Sequence, residues 1–182
     1  MLLQGTANAD TLTGYTTDDM GNGNGGNDIL YGGAGNDTLN GNDGSDTVNG
    51  EIGDDTLNGG ADSDTYRFGR GSGQDTITDY DTGTGKTGVI EFAADIAPSD
   101  IQLSRSGDHL VLAVNGTADK LTVTSYLSND GISGYQLEQI KFADGTLWDL
   151  ATVKPILLQG TANADNLTGY RYRRYGQWQR RQ

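Results

Sequence analysis

Seven aspartates recur in strict phase along the first third of this 182-residue chain, one every nine residues: Asp10, Asp19, Asp28, Asp37, Asp46, Asp55 and Asp64. Carboxylates are hard oxygen donors, and a regular file of them suits the holding of a hard cation. Other metal chemistry has little to draw on. There is no cysteine and one histidine, His109, so neither disulfides nor thiolate zinc sites are available. Charge points the same way: residues 1–81 carry fifteen Asp or Glu against Arg67 and Arg70, whereas residues 82–182 carry ten acidic and ten basic residues. The net charge of −13 therefore sits in the amino-terminal part. Such a segment repels nucleic-acid phosphates and anionic membranes, which leaves a cation as its natural partner.

The aspartates belong to a nine-residue unit whose first glycines are Gly5, Gly14, Gly23, Gly32, Gly41, Gly50 and Gly59. Asp holds the sixth position. The eighth reads Leu12, Gly21, Leu30, Leu39, Val48, Leu57 and Tyr66, so the unit at 14–22 is the weak one. Each unit predicts a glycine-rich turn followed by a very short strand, with position eight pointing inward and positions seven and nine outward. Two units would close one coil of a flattened solenoid around a thin aliphatic core. With 29 Gly in the chain and few large apolar residues before Tyr66, the segment alone is expected to be largely disordered.

Gly32-Gly33-Ala34-Gly35-Asn36-Asp37-Thr38-Leu39-Asn40 resembles, without a deviation, the G-G-x-G-x-D-x-U-x nonapeptide of the repeats-in-toxin (RTX) family. The resemblance covers about residues 5–67. It implies an all-β chain with a parallel β-roll that binds several Ca2+ ions between successive coils on each edge. By position, one file of ligands is Asp10, Asp28, Asp46 and Asp64, and the other is Asp19, Asp37 and Asp55. Neighbours within a file bracket about five sites, with backbone carbonyls of the turns, among them Gly26, Gly33, Gly35, Gly44 and Gly53, completing an all-oxygen shell. Asn8, Thr17 and Asp62 replace the glycine at position four, so sites touching Asp10 and Asp19 are expected to be less secure. Stacked at ~4.8 Å, ionised neighbours would repel by about 1 kcal/mol even in water. Residues 5–67 are therefore expected to fold only with calcium, whose binding free energy becomes folding free energy.

From about Gln74 the nonapeptide gives way to longer alternating runs. Strands are predicted at 89–92, 101–105, 110–114, 121–127 and 136–142, with turns at Ser106-Gly107-Asp108, Asn115-Gly116 and Asp144-Gly145. Ile140-Lys141-Phe142-Ala143-Asp144-Gly145-Thr146-Leu147-Trp148 resembles the haemolysin-type calcium-binding-related domain, which implies a small antiparallel β unit capping the open end of the roll. The expected domains are a roll over 1–67, the cap over 68–153, the start of a second repeat block over 154–170 and a tail over 171–182. Asp79, with Asp75 and Asp81, is a candidate for a terminal calcium site, and turn or surface roles are equally open to these three.

Residues 157–170 duplicate residues 2–15 with one substitution, Asn166 for Thr11. The Arg-rich stretch that follows fits nothing before it. A codon string for Arg171 to Gln182, read one base later, yields Asp-Thr-Asp-Asp-Met-Gly-Asn-Gly-Asn-Gly-Gly, which matches Thr16 to Gly26 in ten of eleven positions. The tail is expected to be a frameshifted, unstructured copy of the next repeat rather than a nucleic-acid or membrane arm.

Other chemistries find weaker support. Gly21-Asn22-Gly23-Asn24-Gly25-Gly26 satisfies a dinucleotide fingerprint, but repeat phase explains it and no helix is expected after it. Asp79-Tyr80-Asp81-Thr82-Gly83 lacks the closing Glu of an EF-hand. His109 has no second catalytic group beside it in sequence, and Trp148 is expected in the cap core rather than under a sugar. Carboxylate pairs could serve glycoside hydrolysis, yet every in-phase Asp already has a structural role, so no enzyme is expected. No run reaches membrane-spanning length. The start, Met1-Leu2-Leu3-Gln4-Gly5, lacks signal-peptide character, so export is expected to proceed without a cleaved amino-terminal signal. The expected product is a calcium-binding module of a larger secreted bacterial protein, exported by the type I route. The alternative is a calcium-dependent adhesin or glycan-binding module.

Overall fold

The computed structural model describes residues 1–131, 134–135 and 137–158, without the side chain of Asp130. The expected second repeat block beyond residue 158 and the Arg-rich tail lie outside the described residues.

Among the described residues fifteen strands build two facing sheets. The repeat supplies β1 (Leu2–Gln4), β2 (Thr11–Thr13), β3 (Met20–Gly25), β4 (Ile29–Ala34), β5 (Thr38–Asp43), β6 (Thr47–Ile52), β7 (Thr56–Ala61) and β8 (Thr65–Phe68). Beyond it come β9 (Gln74–Ile77), β10 (Val89–Phe92), β11 (Ile101–Ser106), β12 (His109–Val114), β13 (Lys120–Val123), β14 (Gln139–Lys141) and β15 (Leu147–Trp148). One helix, α1 (Leu150–Leu157), follows, opened by the Asp149 side chain, which accepts from the Thr152 N–H. Odd and even strands of the repeat separate: one sheet runs β1-β3-β5-β7-β9-β13-β12-β11, the other β15-β14-β10-β8-β6-β4-β2. This is a parallel β-roll, with antiparallel strands at its carboxyl-terminal end.

The register is arithmetic. Leu2 faces Met20, Thr38 faces Thr56 and Thr47 faces Thr65, always eighteen residues on. The spacing then widens, as Thr56 faces Thr76, Thr65 faces Val89, Gln74 faces Lys120 and Val89 faces Gln139. Insertions thus enter between coils while the parallel ladders run on. The boundary expected at residue 67 is not a break in the sheets. One hydrophobic cluster extends from Leu30 through Tyr66, Ile90 and Leu121 to Val153, so roll and cap share a core.

Two inward positions alternate along each repeat strand. Position eight carries the apolar side chain, and the glycine two residues later is buried beside it, as at Leu30 and Gly32 or Leu57 and Gly59. In the weak unit Gly21 leaves a gap that Leu39 fills, its Cδ2 lying 2.8 Å from where a Cβ would stand. Toward the cap the inward glycine gives way to Phe68, Phe92 and Phe142. Phe68 meets Phe92 edge-on at 6.2 Å, Phe92 stacks on Phe142 at 5.1 Å, and Phe142 meets Trp148 at 4.8 Å. The core thereby thickens where the repeat ends. The predicted strand at 121–127 is shorter, ending at Val123, because Ser125 takes a left-handed φ of 54° and turns the chain away. The predicted strand at 136–142 contracts to Gln139–Lys141, and α1 was not anticipated from sequence.

Leu57 is wholly buried between the sheets, whereas Leu147 is 54% exposed. Leu57→Ala should cost about 2–5 kcal/mol of stability and Leu147→Ala less than about 0.5 kcal/mol, as measured by urea unfolding of the calcium-saturated chain. Equal costs would contradict a core shared along the roll.

Candidate metal sites along the edges of the roll

The parallel register stacks the in-phase aspartates at the turn leading into each strand. In each file a carboxylate Oδ1 accepts the backbone N–H of the aspartate one coil earlier. Asp28 takes the Asp10 N–H at 2.8 Å, Asp46 that of Asp28 at 2.7 Å and Asp64 that of Asp46 at 2.9 Å. In the second file Asp37 takes the Asp19 N–H at 2.7 Å, Asp55 that of Asp37 at 2.7 Å and Asp75 that of Asp55 at 3.0 Å. The structure brings all seven sequence-assigned aspartates into two ranks and adds an eighth, Asp75.

The other carboxylate oxygen distinguishes the units. In Asp28, Asp37, Asp46, Asp55, Asp64 and Asp75, Oδ2 is buried with no hydrogen-bond partner. A buried, unpaired carboxylate oxygen costs several kcal/mol unless a cation or a proton compensates it. Asp10 and Asp19 differ: their Oδ2 atoms accept from the backbone N–H of Thr6 at 2.6 Å and of Tyr15 at 2.7 Å. The physical reason lies at position two, where Asn24, Gly33, Asn42, Glu51 and Gly60 adopt φ between 68° and 107°. Thr6 and Tyr15 do not appear among the left-handed residues, and their N–H groups turn back onto their own carboxylates.

Glycines form the rest of each turn. The inward glycine of each unit lies against its own aspartate: a Cβ on Gly23, Gly32, Gly41, Gly50 or Gly59 would collide with the carboxylate of Asp28, Asp37, Asp46, Asp55 or Asp64. At position four, a Cβ on Gly44 would strike the Gly26 carbonyl oxygen, and one on Gly53 the Gly35 carbonyl oxygen. Gly44 (φ 122°) and Gly53 (φ 150°) hold conformations open to glycine. Gly26, Gly35, Gly44 and Gly53 thus stack carbonyl to Cα along the two edges, and Gly33 packs on the Tyr15 carbonyl. Among the described residues no three His, Cys, Asp or Glu side chains converge on one point. A metal here must therefore be held by carboxylates together with backbone carbonyls, an all-oxygen set that fits calcium.

Electrostatics strengthen toward the cap. Burial first, then the neighbouring carboxylates, pushes Asp37 up from its ordinary value, Asp46 and Asp55 up to about 6, and Asp64 and Asp75 up to about 8. Asp10 is lowered by its bonds from Thr6, and Asp19 by the Met1 amino group and the Tyr15 N–H. Asp37, Asp46, Asp55, Asp64 and Asp75 are thus uncomfortable as anions, and Asp10 and Asp19, whose Oδ2 is bonded, are comfortable.

The three candidates for a terminal site do not come together. Asp75 joins the second rank. Asp79 stands in register with Gly59, pointing inward, where Tyr66 bonds its carboxylate and the Gly60 N–H lies 3.4 Å away. Asp81 faces Lys86 at 3.9 Å. Sequence phase missed Asp75 because two extra residues precede it, although Gly71-Ser72-Gly73-Gln74-Asp75-Thr76-Ile77 repeats the G-x-G-x-D-x-U core of the unit. His109 accepts the Ser125 N–H at 2.9 Å on its Nδ1, and Trp148 packs on the core.

Comparison with known proteins agrees with this geometry. Residues 2–30, 13–48, 22–57, 31–66 and 40–77 match the RTX calcium-binding nonapeptide repeat, and residues 109–152 match the haemolysin-type calcium binding protein related domain. The iron-regulated protein FrpA of Neisseria meningitidis serogroup C is 40% identical over 105 residues, a stretch covering 58% of this chain and 9% of that protein. The chain thus spans less than a tenth of this relative. Residues 2–77 form an RTX calcium-binding repeat module, and a haemolysin-type calcium binding protein related domain follows it over residues 109–152.

Proposed function

We propose that this module folds when extracellular calcium fills the spaces between its stacked aspartates, and that it supports the export and stability of a larger secreted protein. The observation that carries this reading is the set of six buried, unpartnered Oδ2 atoms ranked along the two edges. The ligands are Asp28, Asp37, Asp46, Asp55, Asp64 and Asp75, with backbone carbonyls of the intervening glycine turns. Asp10 and Asp19, already bonded within their own units, contribute less. A bound calcium supplies positive charge that turns repulsion between coils into attraction. A Kd of about 10⁻⁴ to 10⁻³ M, usual for extracellular modules, would keep the segment unfolded in a low-calcium cytosol and allow it to fold outside. No catalytic role is assigned, since the carboxylates are absorbed in the ranks. Among the described residues no helix is long and apolar enough to cross a membrane.

The second reading, a glycan-binding or adhesin segment, draws on an open groove of about 700 Å³ lined by Arg67, Glu91, Phe92, Lys141, Phe142 and Leu147, among others. A glycan screen against the calcium-saturated chain separates the two, since saturable binding would favour the second.

Calcium titration followed by far-UV circular dichroism should show a cooperative gain of β signal that chelation reverses. Asp46→Asn, which keeps the Oδ1 bond but replaces the bare oxygen, should raise the folding midpoint about tenfold in calcium, equivalent to about 1.4 kcal/mol. Asp10→Asn should move it less. Identical spectra with and without calcium would refute the proposal.

Protons should substitute for the ion in part. In the calcium-free fold Asp46 and Asp55 hold protons up to about pH 6, and Asp64 and Asp75 up to about pH 8, against about 4 in the unfolded chain. Their contribution is fully present below about pH 4 and is lost as pH rises through about 6 and then 8. Chain stripped of calcium by gel filtration should therefore gain β signal as pH falls from about 9 to about 5. A signal independent of pH would show that these carboxylates are not what opposes folding.

A further inference from the structure

Continued into the cap, the first rank meets a change of residue. Val89 pairs with Thr65 and Gln139 with Val89, so Gly88 stands where the next aspartate would be, and Glu138 stands one coil further on. Glu138 repeats half of the aspartate pattern: its Oε2 accepts the Gly88 N–H at 2.5 Å, as each repeat Oδ1 accepts the N–H of the coil before. The other half differs. In the repeat the second oxygen is bare, whereas Glu138 Oε1 faces the Lys86 ammonium at 3.9 Å.

Lys86 is well placed for more than a surface pair. Its side chain is 11% exposed, and its Nζ also lies 3.9 Å from Asp81 Oδ2. Its charge reaches the last repeat acid, Asp64, and the inward Asp79, and on both it offsets the rise caused by burial. Two carboxylates, Asp81 and Glu138, thus face this one ammonium. The second rank ends differently, since Leu121 stands opposite Asp75. Asp119, two residues earlier, accepts from Gly71 and Gly73 at 2.9 and 3.1 Å and is drawn down further by Arg70. Residues 1–104 contain three basic side chains, Arg67, Arg70 and Lys86. Arg67 pairs with Glu91, Arg70 with Asp95 and Asp100, and Lys86 stands at the end of the first rank.

We propose that the Lys86 ammonium is a tethered counter-ion that closes the first rank of acids, playing toward Glu138 the part that calcium plays toward the repeat aspartates. The cap thereby presents the last repeat coil with a fixed positive charge, and the rank of ions ends there instead of running on into Gly88 and Glu138. This rests on the calcium reading above.

The test counts calcium ions per folded chain by native mass spectrometry, on the full chain and on Lys86→Gln, alongside the calcium midpoint for folding. The variant should bind one more ion than the parent and need more calcium to fold. An unchanged count overturns the proposal. Should Lys86→Gln fail to fold at any calcium level, Lys86→Gln combined with Glu138→Gln, which removes one facing charge, should fold with the parental count. Failure of the double variant likewise overturns it. A parent chain that binds no calcium would instead refute the underlying calcium reading.

Discussion

The fold turns on one uncompensated interaction: carboxylates carried out of water by a parallel ladder, six of them with one oxygen bonded and one bare. The bonded oxygen is what makes the stacking possible, because it takes a backbone N–H that the turn would otherwise leave without a partner. The bare oxygen is what makes the stack costly unless a cation or a proton compensates it. Hydrophobic burial cannot override this, since β4 to β7 each contribute one apolar side chain and a glycine to the interior. A protein built this way has its cohesion placed at its edges rather than in its middle, which reverses the usual order of a β-sandwich.

The cap is the complementary half of the design. Phe68, Phe92 and Phe142 occupy the inward position held by glycine in the repeat, and the sheets continue through them without a break. The glycine-lined interior of the repeat therefore grades into an aromatic-packed one along a single continuous core. Tyr66 sits at the transition, wholly buried, with its hydroxyl accepting the Gly59 N–H and bonding Asp79.

Much of this was legible in the sequence because it is periodic. A nine-residue phase with Asp at six and an apolar residue at eight dictates two ranks of acids, two parallel sheets and a thin interior, and the structure has all three. The resemblance carried by Gly32 to Asn40 fixed the cation's identity, which phase alone could not. What escaped was aperiodic. Asp75 lies two residues out of phase. Glu138 joins the first rank only through a register that spans a separation of fifty residues from Gly88. The bonding of the Asp10 and Asp19 Oδ2 atoms depends on backbone angles at Thr6 and Tyr15, which a motif does not specify. Helix α1 rests on the Asp149 cap and on Val153 packing into the shared core, both tertiary facts.

The constant eighteen-residue register has a genetic corollary. A coding repeat this regular invites slippage during replication, but gain or loss of a single unit would exchange odd strands for even ones, sending every downstream strand to the opposite sheet and delivering the wrong rank to Lys86. Slips of eighteen codons leave parity intact and merely lengthen or shorten the spring. Natural length variants of such a module should therefore differ by whole coils, with the junction to the cap unaltered.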